Sequence, residues 1–209
     1  MDLIILLTVF GILFLGELGD KTQLIVFNIS LEHEKKYKVG IGATLGFGAI
    51  VTLGVFFGTI ITNYIPLNLI SFISGIVFVI IGVLDARNLK PLYREHYKLN
   101  QGEEIKSIIE DETPSKYSKL KNNPYLGGFG FIFLMELGDK TQILTITLAS
   151  IYNLPFEVWL GSFLALTTLA WIGVFFGEIV ARKVPKFHLK TISVSIFIII
   201  GIIIIVTSF

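Results

Sequence analysis

A charged motif of seven residues occurs twice within apolar segments of the chain. Residues 17–23 read Glu-Leu-Gly-Asp-Lys-Thr-Gln, and residues 136–142 repeat the same seven residues. A charged side chain at the centre of a membrane helix costs about 2.5–3.5 kcal/mol, so six of them cost on the order of 15–20 kcal/mol if isolated. These groups must therefore be paired, face a cavity or bind a ligand.

The charges of the two motifs predict a cation site. Four carboxylates and two ammonium groups sum to −2, and one divalent cation or two protons would neutralise them. The carboxylates belong to Glu17, Asp20, Glu136 and Asp139, and the ammonium groups to Lys21 and Lys140. An all-oxygen ligand set favours Mg²⁺, Ca²⁺ or Mn²⁺ over Zn²⁺ or Cu⁺. Deprotonation of the lysines by burial is an alternative route to neutrality.

The geometry of the motifs depends on whether their helices are regular. On a regular helix, Glu17, Asp20 and Lys21 share one face, and the threonines point away from it. Unwinding at the glycines would free backbone carbonyls and turn the threonines toward the site, and the sequence leaves both alternatives open. The residues expected to support the site are Gly19, Lys21, Thr22, Gln23, Gly138, Lys140, Thr141 and Gln142.

The composition indicates an integral membrane protein. Hydrophobic residues make up 53% of the 209 residues and charged residues 16%, against about 25% charged in ordinary soluble domains. A helix that crosses the hydrocarbon core needs roughly 20 residues, and without alternating polarity the apolar segments do not fit a β-barrel. We therefore expect an all-α fold with six transmembrane helices, at about 3–29, 41–62, 66–86, 125–150, 156–181 and 188–208.

An internal repeat relates the two halves at an offset of 119 residues. Beyond the charged motif, Gly54–Gly58 and Gly173–Gly177 have the same sequence. Two three-helix units are predicted at residues 1–86 and 125–209, with a linker at 87–124. Because each unit has an odd number of spans, the repeat is inverted, as in many secondary transporters with a site near the midplane. The alternative is a duplication kept only for packing, but identity in the charged motif favours a function.

The basic residues predict the orientation in the membrane. Of the 17 Lys and Arg residues, all except Lys21 and Lys140 lie in segments 31–40, 87–124 and 182–190. By the positive-inside rule these segments are cytoplasmic, and both termini lie outside. The first span is expected to be retained rather than cleaved as a signal peptide. Near the end of the third span, Asp85 lies close to Arg87, where a surface ion pair is expected.

The sequence also excludes several classes of function. A net charge of +1 argues against a nucleic-acid binder, and the absence of cysteine excludes thiol catalysis. An aspartyl enzyme is not expected, because Asp20 and Asp139 are each followed by a lysine that would keep them ionised. No resident cofactor is predicted. An exporter of a small cationic or zwitterionic solute, such as an amino acid, and a non-transporting scaffold remain as alternatives.

The duplicated Glu-x-Gly-Asp-Lys-Thr motif in a six-helix protein resembles a family of small cation/proton antiporters. That family includes the Golgi manganese/calcium transporter of animals and yeast and manganese exporters of bacteria and plastids. The resemblance implies export of Mn²⁺ or Ca²⁺ from the cytosol in exchange for protons, by alternating access between the two acidic motifs. Without a long N-terminal extension, the chain resembles a multi-pass protein of a prokaryotic plasma membrane. Cation selectivity, proton stoichiometry and a homodimer are left open.

Overall fold

A computed structural model describes residues 1–31, 33–87, 89–93, 123–183 and 186–208, and all regular structure in these ranges is helical. The side chains of Lys21, Leu24 and residues 177–183 and 186, together with most of the predicted linker, lie outside the described part. The helices are α1 (Leu3–Glu17), α2 (Lys21–Leu31), α3 (Lys36–Thr62), α4 (Leu67–Arg87), α5 (Pro124–Glu136), α6 (Lys140–Tyr152), α7 (Pro155–Lys183) and α8 (Lys186–Thr207), and residues 89–93 are also helical.

Among the described residues, four helices are long and apolar enough to cross a membrane. They comprise α3, α4, residues 155–176 of α7 and residues 187–207 of α8, with mean hydropathies of 1.8 to 2.7. Their limits agree with four of the predicted spans to within one or two residues, with two exceptions. The predicted span 41–62 begins five residues after α3, and the predicted span 156–181 ends five residues after the apolar segment of α7. The interpretation as an all-helical membrane protein is thus confirmed for the described residues.

The first predicted span is two helices rather than one. α1 ends at Glu17, and α2 begins at Lys21. Between them, Leu18 has φ −62° and ψ 121°, and Gly19 has φ +80°. The amide of Asp20 donates to the carbonyl oxygen of Glu17 at 3.1 Å. These features describe a type II β-turn, whose third residue needs a positive φ and is therefore usually glycine.

The span predicted at 125–150 is divided in the same way. α5 ends at Glu136, Leu137 has φ −67° and ψ 109°, and Gly138 has φ +83°. The amide of Asp139 donates to the carbonyl oxygen of Glu136 at 3.2 Å, and α6 begins at Lys140. The regular-helix interpretation, which placed the charged residues on one face, is therefore wrong because a turn separates them. The alternative of local unwinding at the glycines is confirmed.

Helices of each half of the chain pack against a long helix of the other half. α1 and α2 of the first half pack against α7 of the second, whereas α5 and α6 of the second half pack against α3 of the first. A β-carbon on Gly161 would lie 2.7 Å from the carbonyl oxygen of Leu6, and one on Gly42 would overlap the carbonyl oxygen of Tyr125. These two contacts are related by the 119-residue offset. Glycine thus lets each helix that ends in a motif glutamate approach the long helix of the other half.

Candidate cation site

Two glutamates end their helices inside the bundle and line the same cavity. Glu17 is 3% exposed and Glu136 is 1% exposed. The cavity encloses at most about 270 Å³ between its wall atoms. Its polar wall also contains Thr22, Gln23 and Thr141, and its apolar wall contains Val26, Phe47, Leu166, Leu169 and Ala170. Because each glutamate precedes a β-turn, its side chain lies where the helical backbone has just been interrupted.

Glu136 interacts with hydroxyl groups from both motifs. The side chains of Thr141 and Thr22 line the same cavity wall, close to its carboxylate. Its Oε2 atom is buried and accepts no hydrogen bond from the described residues. A buried acceptor without a partner costs about 1–3 kcal/mol, and more when it is charged. This oxygen is therefore available to a cation, and the two threonine hydroxyls could add further oxygen ligands.

Glu17 is paired with a lysine of the other motif. The Nζ atom of Lys140 lies 3.4 Å from Glu17 Oε1. Neither oxygen of this carboxylate accepts a hydrogen bond within the described part of the chain. A single ion pair at this distance leaves most of the acceptor capacity of a carboxylate unused. Glu17 thus resembles Glu136 in presenting buried oxygen atoms to the cavity.

The glutamines of the motifs stabilise the turns. Gln23 Oε1 accepts a hydrogen bond from the Gly19 amide at 3.2 Å, and its Nε2 donates to the Glu17 carbonyl oxygen at 2.8 Å. In the second motif, Gln142 Oε1 accepts from the Gly138 amide at 2.6 Å. Backbone groups released by a helix break inside a membrane must be satisfied within the protein. The glutamines satisfy several of them.

The aspartates are more exposed than the glutamates, although Asp20 lies close enough to Glu17 and Glu136 to interact with both. Asp139 is exposed and occupies the N-cap position of α6, while Asp20 is half-buried. No group of three or more His, Asp or Glu residues is close enough to hold one metal ion among the described residues. The structure brings Glu17 and Glu136 to one cavity, and a site made by all four carboxylates stays a prediction. The predicted role of the Lys21 side chain lies outside the described residues.

Asp85 and Lys190 are site neighbours that the sequence reasoning missed. Asp85 forms ion pairs with Lys140 at 3.4 Å and with Lys190 at 2.9 Å. Its position near a helix end and close to Arg87 suggested only a surface ion pair, yet its side chain is 14% exposed. The available signal was an acidic residue within an apolar window. That signal does not identify a partner 55 residues away.

A model of the divalent cation/proton antiporter family GDT1 matches residues 5–90 and 124–209. The chain belongs to this family. It is therefore a membrane transporter and not an enzyme, and the family's substrates are divalent cations and protons. The two matched segments begin 119 residues apart, which is the offset of the internal repeat. The resemblance inferred from the duplicated motif is thereby confirmed.

Several relatives align with most of the chain. A GDT1-like protein of Synechocystis sp. is 32% identical over 179 residues, which cover 82% of each chain. GDT1-like protein 3 of Oryza sativa subsp. indica is 26% identical, covering 90% of this chain and 68% of its own length. A Vibrio cholerae protein named "Putative manganese exporter" is 22% identical, covering 90% of this chain and 84% of its own. No solved structure is significantly similar to the chain.

Proposed function

We propose that this protein exports Mn²⁺, Ca²⁺ or both from the cytosol in exchange for protons, with Glu17 and Glu136 as the central cation ligands. The supporting observation is that both carboxylates are buried, have oxygen atoms without hydrogen-bond donors in the described structure, and line one cavity. Asp20 and Asp139 are proposed to guide the cation to this pair.

The charge of the pocket supports coupling between a cation and protons. Two buried carboxylates repel each other, and Lys140 offers a partial counter-charge to one of them. A divalent cation or protons would supply the remaining positive charge, because burial of uncompensated charge is costly. Alternate occupancy by these two kinds of positive charge would couple their movements in opposite directions.

The broken helices supply the remaining spans of the proposed topology. We infer that α1 with α2 and α5 with α6 each cross the membrane as one interrupted span, which adds two spans to the four long helices. Residues 1–86 and 125–209 then form inverted three-helix units around a midplane site, as in other transporters with discontinuous helices. The linker 87–124 would be cytoplasmic, and both termini would lie outside. The proposed location is a prokaryotic plasma membrane.

Manganese is the first cation to test. The described wall of the cavity offers carboxylate, hydroxyl and amide oxygens, which suit Mn²⁺ and Ca²⁺ alike. The name of the Vibrio cholerae relative favours Mn²⁺.

Flux through proteoliposomes tests this proposal. The purified full-length protein is reconstituted with an entrapped Mn²⁺-sensitive dye and, in parallel vesicles, a pH-sensitive dye. We expect Mn²⁺ uptake to move protons in the opposite direction, and Glu17→Gln and Glu136→Gln each to abolish both signals. Glu157→Gln is the matched control, since Glu157 is 8% exposed but lies outside the cavity wall.

The outcomes separate the competing functions. Coupled flux that persists in both cavity variants would refute the assigned ligands. Competition of Mn²⁺ flux by amino acids, or amino-acid uptake that depends on Glu17, would favour the exporter of small organic solutes. Repeating the measurement with Ca²⁺ decides whether one or both cations are carried.

A further inference from the structure

Asp85 connects the candidate site to the last helix of each half, α4 and α8. It lies near the end of α4, and its two carboxylate oxygens face different lysines. Oδ2 lies 3.4 Å from Nζ of Lys140 in α6, and Oδ1 lies 2.9 Å from Nζ of Lys190 in α8. The three side chains are 13–18% exposed. Ion pairs this sheltered from water are screened less than surface pairs.

The Lys140 ammonium is attracted by three carboxylates, those of Glu17, Asp20 and Asp85. Its Nζ atom lies 3.4 Å from both Glu17 Oε1 and Asp85 Oδ2 and donates to the Gly16 carbonyl oxygen at 3.1 Å. The ring of Phe197 lies 5.5 Å away, within the range of a cation–π interaction. An ammonium group has three N–H donors. The attraction of the ammonium is shared among its neighbours, so a closer approach of Lys140 to Asp85 weakens its interaction with Glu17.

The ion pairs of Asp85 are not part of the internal repeat. At the repeat offset of 119 residues, Asp85 corresponds to Ile204, and Lys190 corresponds to Ser71. The second half therefore has no carboxylate equivalent to Asp85. A group that is present in one half only can make the two motif glutamates differ in their affinity for a cation, although their motifs are identical.

We propose that Asp85 is a positioning residue for transport, which holds the Lys140 ammonium and limits its competition with a cation for Glu17, while Lys190 competes with Lys140 for Asp85 and so limits this effect. This inference rests on the proposed role of Glu17 as a cation ligand. The four groups form a row of alternating charges. Lys190 weakens the attraction between Asp85 and Lys140, and Asp85 weakens the attraction between Lys140 and Glu17.

Removing the charge of Asp85 and removing the charge of Lys190 should have opposite effects on cation affinity. In Asp85→Asn, Lys140 loses one anionic partner and interacts more strongly with Glu17, so the KM for Mn²⁺ should rise about tenfold, within the range of coupling between contacting charges. In Lys190→Gln, Asp85 keeps Lys140 as its ion-pair partner and draws it away from Glu17. The KM should then fall about threefold, since this effect is transmitted through one more pair.

Initial rates of Mn²⁺ uptake in proteoliposomes test the inference. KM and maximal rate are measured for the unmodified protein and for Asp85→Asn, Asp85→Glu, Lys190→Gln and Glu157→Gln. Asp85→Glu keeps the charge and should restore most of the affinity, and Glu157→Gln should leave KM unchanged. Monodisperse elution in detergent establishes which variants fold.

The opposite signs distinguish positioning from a merely structural role. Damage to packing would lower the maximal rate in both charge variants without lowering KM in either. An unchanged KM in Asp85→Asn, or a KM that rises in Lys190→Gln, would overturn the inference. If Asp85→Asn does not fold, the KM values of Lys190→Gln and Asp85→Glu decide. Flux that persists in Glu17→Gln would instead overturn the proposed function.

Discussion

Replacement of Gly138 by alanine isolates the energetic cost of the β-turn that breaks the second motif helix. Gly138 has φ +83°, and a β-carbon built there would meet no atom within 4 Å. The substitution therefore adds no clash, and its cost is conformational. A left-handed conformation costs a non-glycine residue about 1–2 kcal/mol. The reduced freedom of alanine in the unfolded chain offsets about 0.4–1 kcal/mol, which leaves a net loss of about 1 kcal/mol.

The same substitution at Gly19 adds a steric cost. Gly19 has φ +80°, and its β-carbon would lie 2.8 Å from Cδ1 and 3.3 Å from Cβ of Leu189 in α8. Overpacking of this kind typically costs a further 1–3 kcal/mol, so we expect Gly19→Ala to lose about 2–4 kcal/mol in total. Gly138→Asn should recover part of the loss at that position, because asparagine tolerates left-handed backbone.

Gly11→Ala is the matched control for both variants. Gly11 lies within α1, and its β-carbon would also meet no atom within 4 Å. Its replacement should stabilise the protein by about 0.5–1 kcal/mol, because alanine is favoured over glycine in a helix. Unfolding of each purified protein is followed in mixed micelles by circular dichroism as the denaturing detergent is increased. Equal stability of Gly138→Ala and Gly11→Ala would refute the argument that the turn requires glycine.

Two further substitutions test other parts of the site. Gln142→Ala removes the acceptor of the 2.6 Å hydrogen bond from the Gly138 amide, so the free energy of unfolding should fall by about 1–3 kcal/mol in the same assay. Gln142→Glu retains an acceptor and is the control. Equal losses of stability in both variants would contradict this role. Thr141→Val removes a hydroxyl that lines the cavity close to Glu136, so it should raise the KM for Mn²⁺ by roughly tenfold, whereas Thr141→Ser should not. Equal KM values for valine and serine in proteoliposome uptake would exclude the hydroxyl as a contributor.

Much of the fold was predictable because long apolar helices depend mainly on composition. Four predicted spans correspond to single long helices, and the regular 119-residue repeat predicted related halves. The breaks after Glu17 and Glu136 were not decided by sequence, because a Leu-Gly pair fits both an apolar helix and a type II turn. Glycine adopts either backbone conformation at modest cost, so the surrounding tertiary contacts select one.

The residue types of the candidate site were more predictable than the partners with which each side chain interacts. The cost of burying charge identified Glu17 and Glu136 as residues in need of a partner or ligand. The roles of Gln23 and Gln142 differ from the expectation of general support, since their hydrogen bonds with the turn backbone assign them to the breaks. Asp85 was assigned to a surface ion pair because the sequence shows its neighbours along the chain and not those across the bundle.

The sequence by itself determined the membrane class, the duplicated charged motif and the family. These properties follow from local composition and from residue order, which any comparison along the chain can detect. Only the tertiary structure decided that Lys140 lies beside Glu17 and that Thr22 lies beside Glu136. Each pair joins one residue of the first half with one of the second. The physical reason is that each motif packs beside the long helix of the other half, so the contacts join residues more than 100 positions apart. Their strength depends on burial and distance, which the linear order does not specify.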